Sequence, residues 1–322
     1  MYWYNPYSQV LTNNIWPNIS TSQRAQNLTT DILVLNFEPK EYQESMDPDS
    51  VWAGVVTPMF IGDYDQTRSR FFEIWLRGDE GSLTVDLGKI SEDSNGDGSL
   101  NNEDVPDAGL ALGNGFLEDA EDTGLDGCFD SFEDGWGNCL SEEDGLSYQD
   151  YLTSGEIVII NASSDVNVND PNDDNWDYSE GSSDYTKVNG TEGNGTGDRI
   201  QAGGKYPDSE DLDQSGFLDR SNDYFTKTIS LDDSTYVAGS TIVNGVETGW
   251  KLIRIPLSHF SQVQDITLSE IKYVRLVVSG IDKPSQLEIA KMELVGNAWE
   301  EMGTSFVDQE EYAVQDSTFL VT

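Results

Sequence analysis

Histidine is nearly absent from this chain of 322 residues: His259 stands alone, and cysteine occurs twice, at Cys128 and Cys139. One histidine and two cysteines cannot supply the four ligands of a structural zinc site. A nucleophilic hydrolase needs a base beside its nucleophile. The one histidine lies in Pro256-Leu257-Ser258-His259-Phe260, just past a strand end, where a surface or loop residue is expected. Basic residues are scarce too. Lys and Arg total 17 against 60 Asp and Glu, giving a net charge of -43. That balance argues against nucleic acid and against an anionic membrane surface as partners. No stretch approaches the roughly 20 apolar residues of a membrane helix. The start, Met1-Tyr2-Trp3-Tyr4-Asn5-Pro6, has neither the basic nor the apolar region of a signal peptide. We therefore expect an internal piece of a longer exported chain. The run Gly193-Asn194-Gly195-Thr196-Gly197 lacks the lysine and helix of a phosphate-binding loop.

What is abundant is acid, and it is concentrated. Residues 91–222 hold 33 of the 60 acids and four of the 17 bases. Such a density opposes compaction unless cations neutralise it. The alternative is disorder, but Phe129, Trp136, Tyr148, Tyr151 and Trp176 recur through the segment and give it something to bury. The acids also fall in order. From Asp93 to Asp104, oxygen side chains occupy positions 1, 3, 5 and 9 of a calcium loop, glycine position 6, an aliphatic residue position 8 and a carboxylate position 12. The expected ligands are Asp93, Asn95, Asp97, the Ser99 carbonyl and Asp104. A second copy gives Asp211, Asp213, Ser215, the Phe217 carbonyl and Asn222. A partial third supplies Asp122, Asp126 and Asp130, with Glu133 and Asp134 following. Asp104 and Asn222 are shorter or less charged than the usual terminal Glu, so affinity should be on the order of 10⁻⁴–10⁻³ M. Cys128 and Cys139 lie inside this segment. A compartment rich in calcium is usually oxidising, so a disulfide between them is expected, two free thiols being the alternative.

Around the acidic segment the pattern is β. Strands are predicted at 31–37, 51–60, 71–77 and 82–88, then at 224–231, 249–257, 271–279 and 286–295. In the third, Phe72, Ile74 and Leu76 share a face, and in the fourth Leu83, Val85 and Leu87 do. Val243-Asn244-Gly245-Val246 reads as a tight hairpin turn, and a phase change near Ala290 as a bulge. Ile157-Val158-Ile159-Ile160 is a candidate local strand, and no helix is predicted. Neither group of four strands buries its own face, so the two should pair. The predicted fold is all-β: a jelly-roll sandwich, like those of galactose-binding domains and carbohydrate-binding modules, with a long acidic calcium-binding insertion. A fibronectin-like sandwich and two small domains are the alternatives. The predicted boundaries are an arm over 1–30, the sandwich over 31–90 plus 223–299, the insertion over 91–222 and a second arm over 300–322. Paired carboxylates could serve a glycosidase, but calcium spacing already accounts for the clusters, and a non-enzymatic protein is expected. A glycan-binding module would use an exposed aromatic. Trp75, opposite in phase to Ile74 and Leu76, is the leading candidate, with Trp52, Trp250 and Trp299 behind it.

Further stretches occur in a set order: Trp3-Tyr4-Asn5-Pro6-Tyr7, Ile15-Trp16-Pro17-Asn18, Val51-Trp52-Ala53-Gly54-Val55, Phe71-Phe72-Glu73-Ile74-Trp75-Leu76 and Gly249-Trp250-Lys251-Leu252-Ile253. Segments 31–39, 86–93, 121–127, 209–213, 222–225, 271–276 and 293–297 extend the series. Together they resemble the SprA family, also called Sov, the large outer-membrane translocon of the type IX secretion system of Bacteroidota. The resemblance implies a part in protein export and gliding motility, at the outer membrane, on the cell surface or facing the periplasm. It implies contacts with other parts of a larger outer-membrane protein or with secretion accessory proteins. No barrel is identifiable in this chain, so the family's transport activity does not transfer to it, and there are no family catalytic residues to carry over.

Overall fold

A strand exposes alternate residues to alternate faces, and that alternation decides which side chains of this chain meet. In a computed structural model, the described residues are 1–6, 8–17, 28–38, 52–59, 66–94, 96, 98–105, 113–118, 120–124, 126–141, 144–176, 185, 189, 192–193, 207–296, 299–301 and 319–321. Before the acidic segment come β1 (Tyr2–Tyr4), β2 (Val10–Leu11), α1 (Thr12–Ile15), β3 (Thr29–Thr30), β4 (Leu33–Phe37), β5 (Trp52–Pro58), β6 (Phe71–Arg77) and β7 (Ser82–Lys89). Within it lies α2 (Tyr148–Ser154). After it come β8 (Asp223–Ser230), β9 (Val237–Val243), β10 (Val246–Pro256), β11 (Ser261–Val263), β12 (Tyr273–Ser279), β13 (Ser285–Val295), β14 (Trp299–Glu301) and β15 (Phe319–Val321).

Two antiparallel sheets carry the fold, ordered β1-β4-β13-β6-β10-β9 and β11-β8-β7-β12-β5. Strands from before the insertion hydrogen-bond to strands from after it: β4 to β13, β5 to β12, β6 to β10 and β7 to β8. The insertion leaves β7 and returns into β8. One core joins the sheets, with Leu35, Phe72 and Ile74 of the first meeting Leu83, Val85, Val274 and Leu276 of the second. β13 shifts register between Ile289 and Lys291. The extra residue resets the alternation, so Leu287 and Ile289 before it and Met292 and Leu294 after it all pack on the same core. In the β9–β10 connection Asn244 and Gly245 have φ of 53° and 81°. Both central residues are left-handed, as the tightest hairpin turns require.

The predicted N-terminal arm packs onto the sandwich: β1 extends the first sheet beside β4, and α1 lays Ile15 on that sheet's outer face against Ile32, Val34 and Trp250. The Thr241 hydroxyl donates to the Ile15 carbonyl at 2.6 Å and pins it there. Trp250 is therefore interior, and Trp75 is half-buried with Trp16 edge-on at 6.1 Å. Residues 157–160 form a turn, not a strand, and only Ile160 is buried, against Leu140, Tyr148 and Tyr151. The predicted absence of helix misses α2. Its signals were local: Ser147 and Asp150 form a capping box, and Gly155 closes the helix at φ 78°. In the C-terminal arm, β14 and β15 pair with each other. His259 is exposed just past β10, with Nδ1 3.2 Å from the Tyr236 hydroxyl. No helix among the described residues is long and apolar enough to cross a membrane.

Candidate metal centres

The insertion is tied off where it meets the sandwich. The Ser91 amide donates to Asn222 Oδ1 at 3.2 Å, and the Glu92 amide to the Asp219 carbonyl at 2.8 Å. Glu92 then turns inward. Its Oε1 accepts from the Tyr273 hydroxyl at 2.8 Å and the Leu212 amide at 2.9 Å, and its Oε2 from the Asp219 amide at 3.0 Å. This buried carboxylate stands with Asp211 and Asp213, each offering an oxygen within 4.8 Å of the others. The Asp211 loop has the tight turn that such a site needs. Asp211 Oδ1 and Oδ2 accept from the amides of Ser215 and Gly216, and Gly216 sits at φ 76°. The Ser215 hydroxyl donates to the Phe217 carbonyl at 3.1 Å, so these two expected donors lie side by side. The Asn222 side-chain oxygen lies at the base of the insertion, where it accepts from the Ser91 amide. Glu92, from the opposite end of the insertion, stands with the two aspartates.

The Asp93 loop mirrors this arrangement. Asp93 Oδ1 accepts from the Gly96 amide at 2.7 Å. Glu210, just before the Asp211 loop, reaches across to accept from the Ser94 amide and hydroxyl at 2.7 and 2.6 Å and from the Asn101 amide at 3.1 Å. Each loop is thus braced by the glutamate that precedes the other. Asn95 and Asp97 lie outside the described residues, and Ser99 sits in the loop's bend. Asp104 Oδ2 accepts from the Gly115 amide at 2.8 Å. Among the described residues, Asp93 and Asp104 share no three-carboxylate group. Glu103 braces a third segment, accepting from the amides of Thr123, Gly124 and Asp208. Burial pushes its carboxyl up to about 8.

The densest cluster lies between residues 126 and 174. Cys128 and Cys139 are joined as a disulfide, with Cα atoms 5.8 Å apart. The ring so closed carries Asp130 and Glu133. Glu133 forms one group with Asp126 and Asp174 and another with Asp130 and Asp170, the oxygens within each group lying within 4.8 Å of one another. Glu133 has no exposed surface; its Oε2 accepts from the Asn172 amide at 2.7 Å, while Oε1 is buried without a hydrogen bond. Asp174 Oδ1 is buried and unpaired as well. Burial first, and neighbouring carboxylates second, push Glu133 up to about 8 and Asp174 up to about 9. Glu192, whose Oε2 accepts from the Asp130 amide, is raised to about 7 by the same causes. Burial also raises Asp126 and Asp130. Asp122 stands apart from these groups, its Oδ1 accepting from the Gly193 amide at 2.8 Å.

All these donors are oxygens, the set that suits a hard cation such as calcium or magnesium. The unpaired oxygens of Glu133 and Asp174 are what such an ion would satisfy. Sequence spacing found Asp126, Asp130, Asp211 and Asp213 but missed Glu92, Asp170 and Asp174, and counted Glu133 only as a neighbour. One signal is present. Glu-Asp recurs at 92–93, 103–104, 118–119, 121–122, 133–134, 143–144 and 210–211, and loop spacing places the Asp, not the Glu, of four of them among the ligands.

The class these features define is an antiparallel β protein, with little helix, bearing an acidic, disulfide-closed insertion. Residues 172–319 match the SprA_N family, described as a motility related/secretion protein. That homology covers about half the chain, including Asp174, the Asp211 loop and the strands β8 to β14. No curated protein matches the chain.

Proposed function

We propose that the chain is a non-enzymatic, calcium-stabilised structural and interaction domain of a SprA-like type IX secretion translocon. It would stand on the extracytoplasmic side, touching other parts of a larger outer-membrane protein or secretion accessory proteins. The observation that carries this reading is the match of residues 172–319 to a motility related/secretion family. The sandwich reads as a jelly roll. Numbering the eight sequence-predicted strands in order, one sheet contains 1-8-3-6 and the other 5-4-7-2. The pairings 1 with 8, 2 with 7, 3 with 6 and 4 with 5 are those of one long hairpin folded over on itself. The insertion is then the tip of that hairpin. Calcium at the Asp93 and Asp211 loops would hold this tip to the sandwich, and Glu92, hydrogen-bonded by Tyr273 of β12, supports the second site.

The test belongs in the full-length translocon. Asp211→Asn with Asp213→Asn should leave the insertion protease-sensitive and reduce cargo secretion and gliding. Normal secretion and gliding with a loosened insertion would overturn the proposal. A glycan-binding module is the second reading, favoured by Trp52 on the edge strand β5, which is 67% exposed. Saturable glycan binding abolished by Trp52→Ala would select it.

A further inference from the structure

We propose that the centre of the insertion holds two hard divalent cations of the calcium class side by side, bridged by Glu133. One would lie among Asp126, Glu133 and Asp174, the other among Asp130, Glu133 and Asp170. The inference rests on the calcium reading above for the kind of ion, but uses residues outside the two calcium-spaced loops.

Geometry asks for two ions. Calcium binds oxygen at 2.3–2.6 Å, so two oxygens on one ion lie at most about 5 Å apart. Each triad meets that limit, whereas the five carboxylates do not form one such set, and Glu133 is common to both. One ion cannot collect all five; two ions sharing Glu133 can. Charge agrees. No Lys, Arg or His occurs between Lys89 and Lys187, so the triads have no nearby basic residue in sequence. One divalent ion would leave three of five negative charges unbalanced, and two would leave one. Burial makes the same demand locally. Glu133 is fully buried, and its Oε1 takes no hydrogen bond. An unpaired, desolvated carboxylate oxygen is strongly unfavourable unless a cation meets it.

A disulfide and one asparagine frame the site. The Cys128–Cys139 disulfide closes the ring that carries Asp130 and Glu133. Asn172 staples the second segment to that ring: its Oδ1 accepts from the amides of Gly135 and Gly137 at 2.9 and 3.0 Å, and its side-chain amide donates to Asp126. Asp170 and Asp174 flank Asn172 and are thereby held over the ring. The two ions would cross-link the disulfide-closed ring to the 170–174 segment.

The experiment counts calcium on the whole chain by native mass spectrometry, for the unaltered protein, Glu133→Gln and Asp211→Asn. Glu133→Gln should carry two ions fewer, and Asp211→Asn should lose the loop ion while keeping the central pair. A loss of one ion or none in Glu133→Gln overturns the bridged pair. If Asp211→Asn loses its ion and Glu133→Gln loses none, the calcium reading stands and this inference fails. If neither count changes, both fail. Should Glu133→Gln unfold the insertion and shed every ion, the unaltered protein decides. Loaded with mixed terbium and europium, a bridged pair about 4 Å apart should shorten the terbium lifetime severalfold by energy transfer. An unchanged lifetime overturns the proposal.

Discussion

The sandwich and the insertion belong to one chain but are held by different forces. In the sandwich, alternate residues of β6, β7 and β12 pack into one apolar core, and charges sit opposite partners on neighbouring strands. Arg77 faces Glu288, Arg254 faces Glu73, and Arg275 faces Asp86, each in register and each ion-paired. The insertion reverses this. Its own apolar cluster is Leu140, Tyr148, Tyr151 and Ile160, with Leu152 and Val166 against it. Nine long-range hydrogen bonds run from backbone amides to Glu92, Glu103, Glu133 and Glu210. A core of buried methyl groups is indifferent to ions. A core of carboxylates repels itself until cations enter. The two halves of the molecule should therefore respond oppositely to the same perturbation.

Chelation should give the largest separation between them. With calcium removed, limited proteolysis followed by mass mapping should place cuts between Ser91 and Asn222 while the strands survive. Equal resistance with and without chelator would erase the contrast. Phe72→Ala should do the reverse. Phe72 is fully buried, so its truncation should cost about 3–5 kcal/mol. Urea unfolding followed through the buried Trp250 should show that loss equally in calcium and in chelator. A calcium-dependent loss would mean that the two regions share their stability.

Cys128→Ser should act within the insertion alone. Its closed loop is short, so the loss should be about 3 kcal/mol or a little less. It should appear as faster hydrogen exchange around 126–139 with β4–β13 unchanged, and mass spectrometry of the unreduced wild type should find no alkylatable thiol. The gentlest probe is pH, applied to the chelated protein. Glu133 and Asp174 are raised to about 8 and 9, above their ordinary values. A raised carboxyl favours the folded state while protonated, so its stabilisation is complete below about pH 4 and fades as pH rises through 8 to 9. Hydrogen exchange in the chelated insertion, corrected for intrinsic rates, should therefore accelerate from pH 5 to 9. Calcium should abolish that trend by holding the carboxylates ionised, and a flat profile without calcium would count against the buried acidic centre.

Sequence legibility differed between the two regions for the same reason as their stability. The strand β6 was read to the residue, the Asn244-Gly245 turn and the β13 bulge were read from a few neighbours, and all are local geometry. The turn at 157–160 misled because an apolar run carries no period of its own, and only Ile160 found a core. The helix α2 had its caps written at Ser147, Asp150 and Gly155, but an acidic, glycine-rich setting hid them.

By itself the sequence determined that this is a β protein with an acid excess gathered into one segment, because a strand's period of two and a local charge density need no knowledge of distant residues. Tertiary structure alone decided which carboxylates meet. Loop counting places Asp211 and Asp213 together, yet only the fold brings Glu92, from the far end of the insertion, beside them. Glu133 follows a partial motif by position, yet it alone belongs to both central triads, with Asp170 and Asp174 brought to it by Asn172. The physical reason is that a cation is ligated by oxygens close in space, and residues far apart along the chain reach that distance only after the backbone has folded.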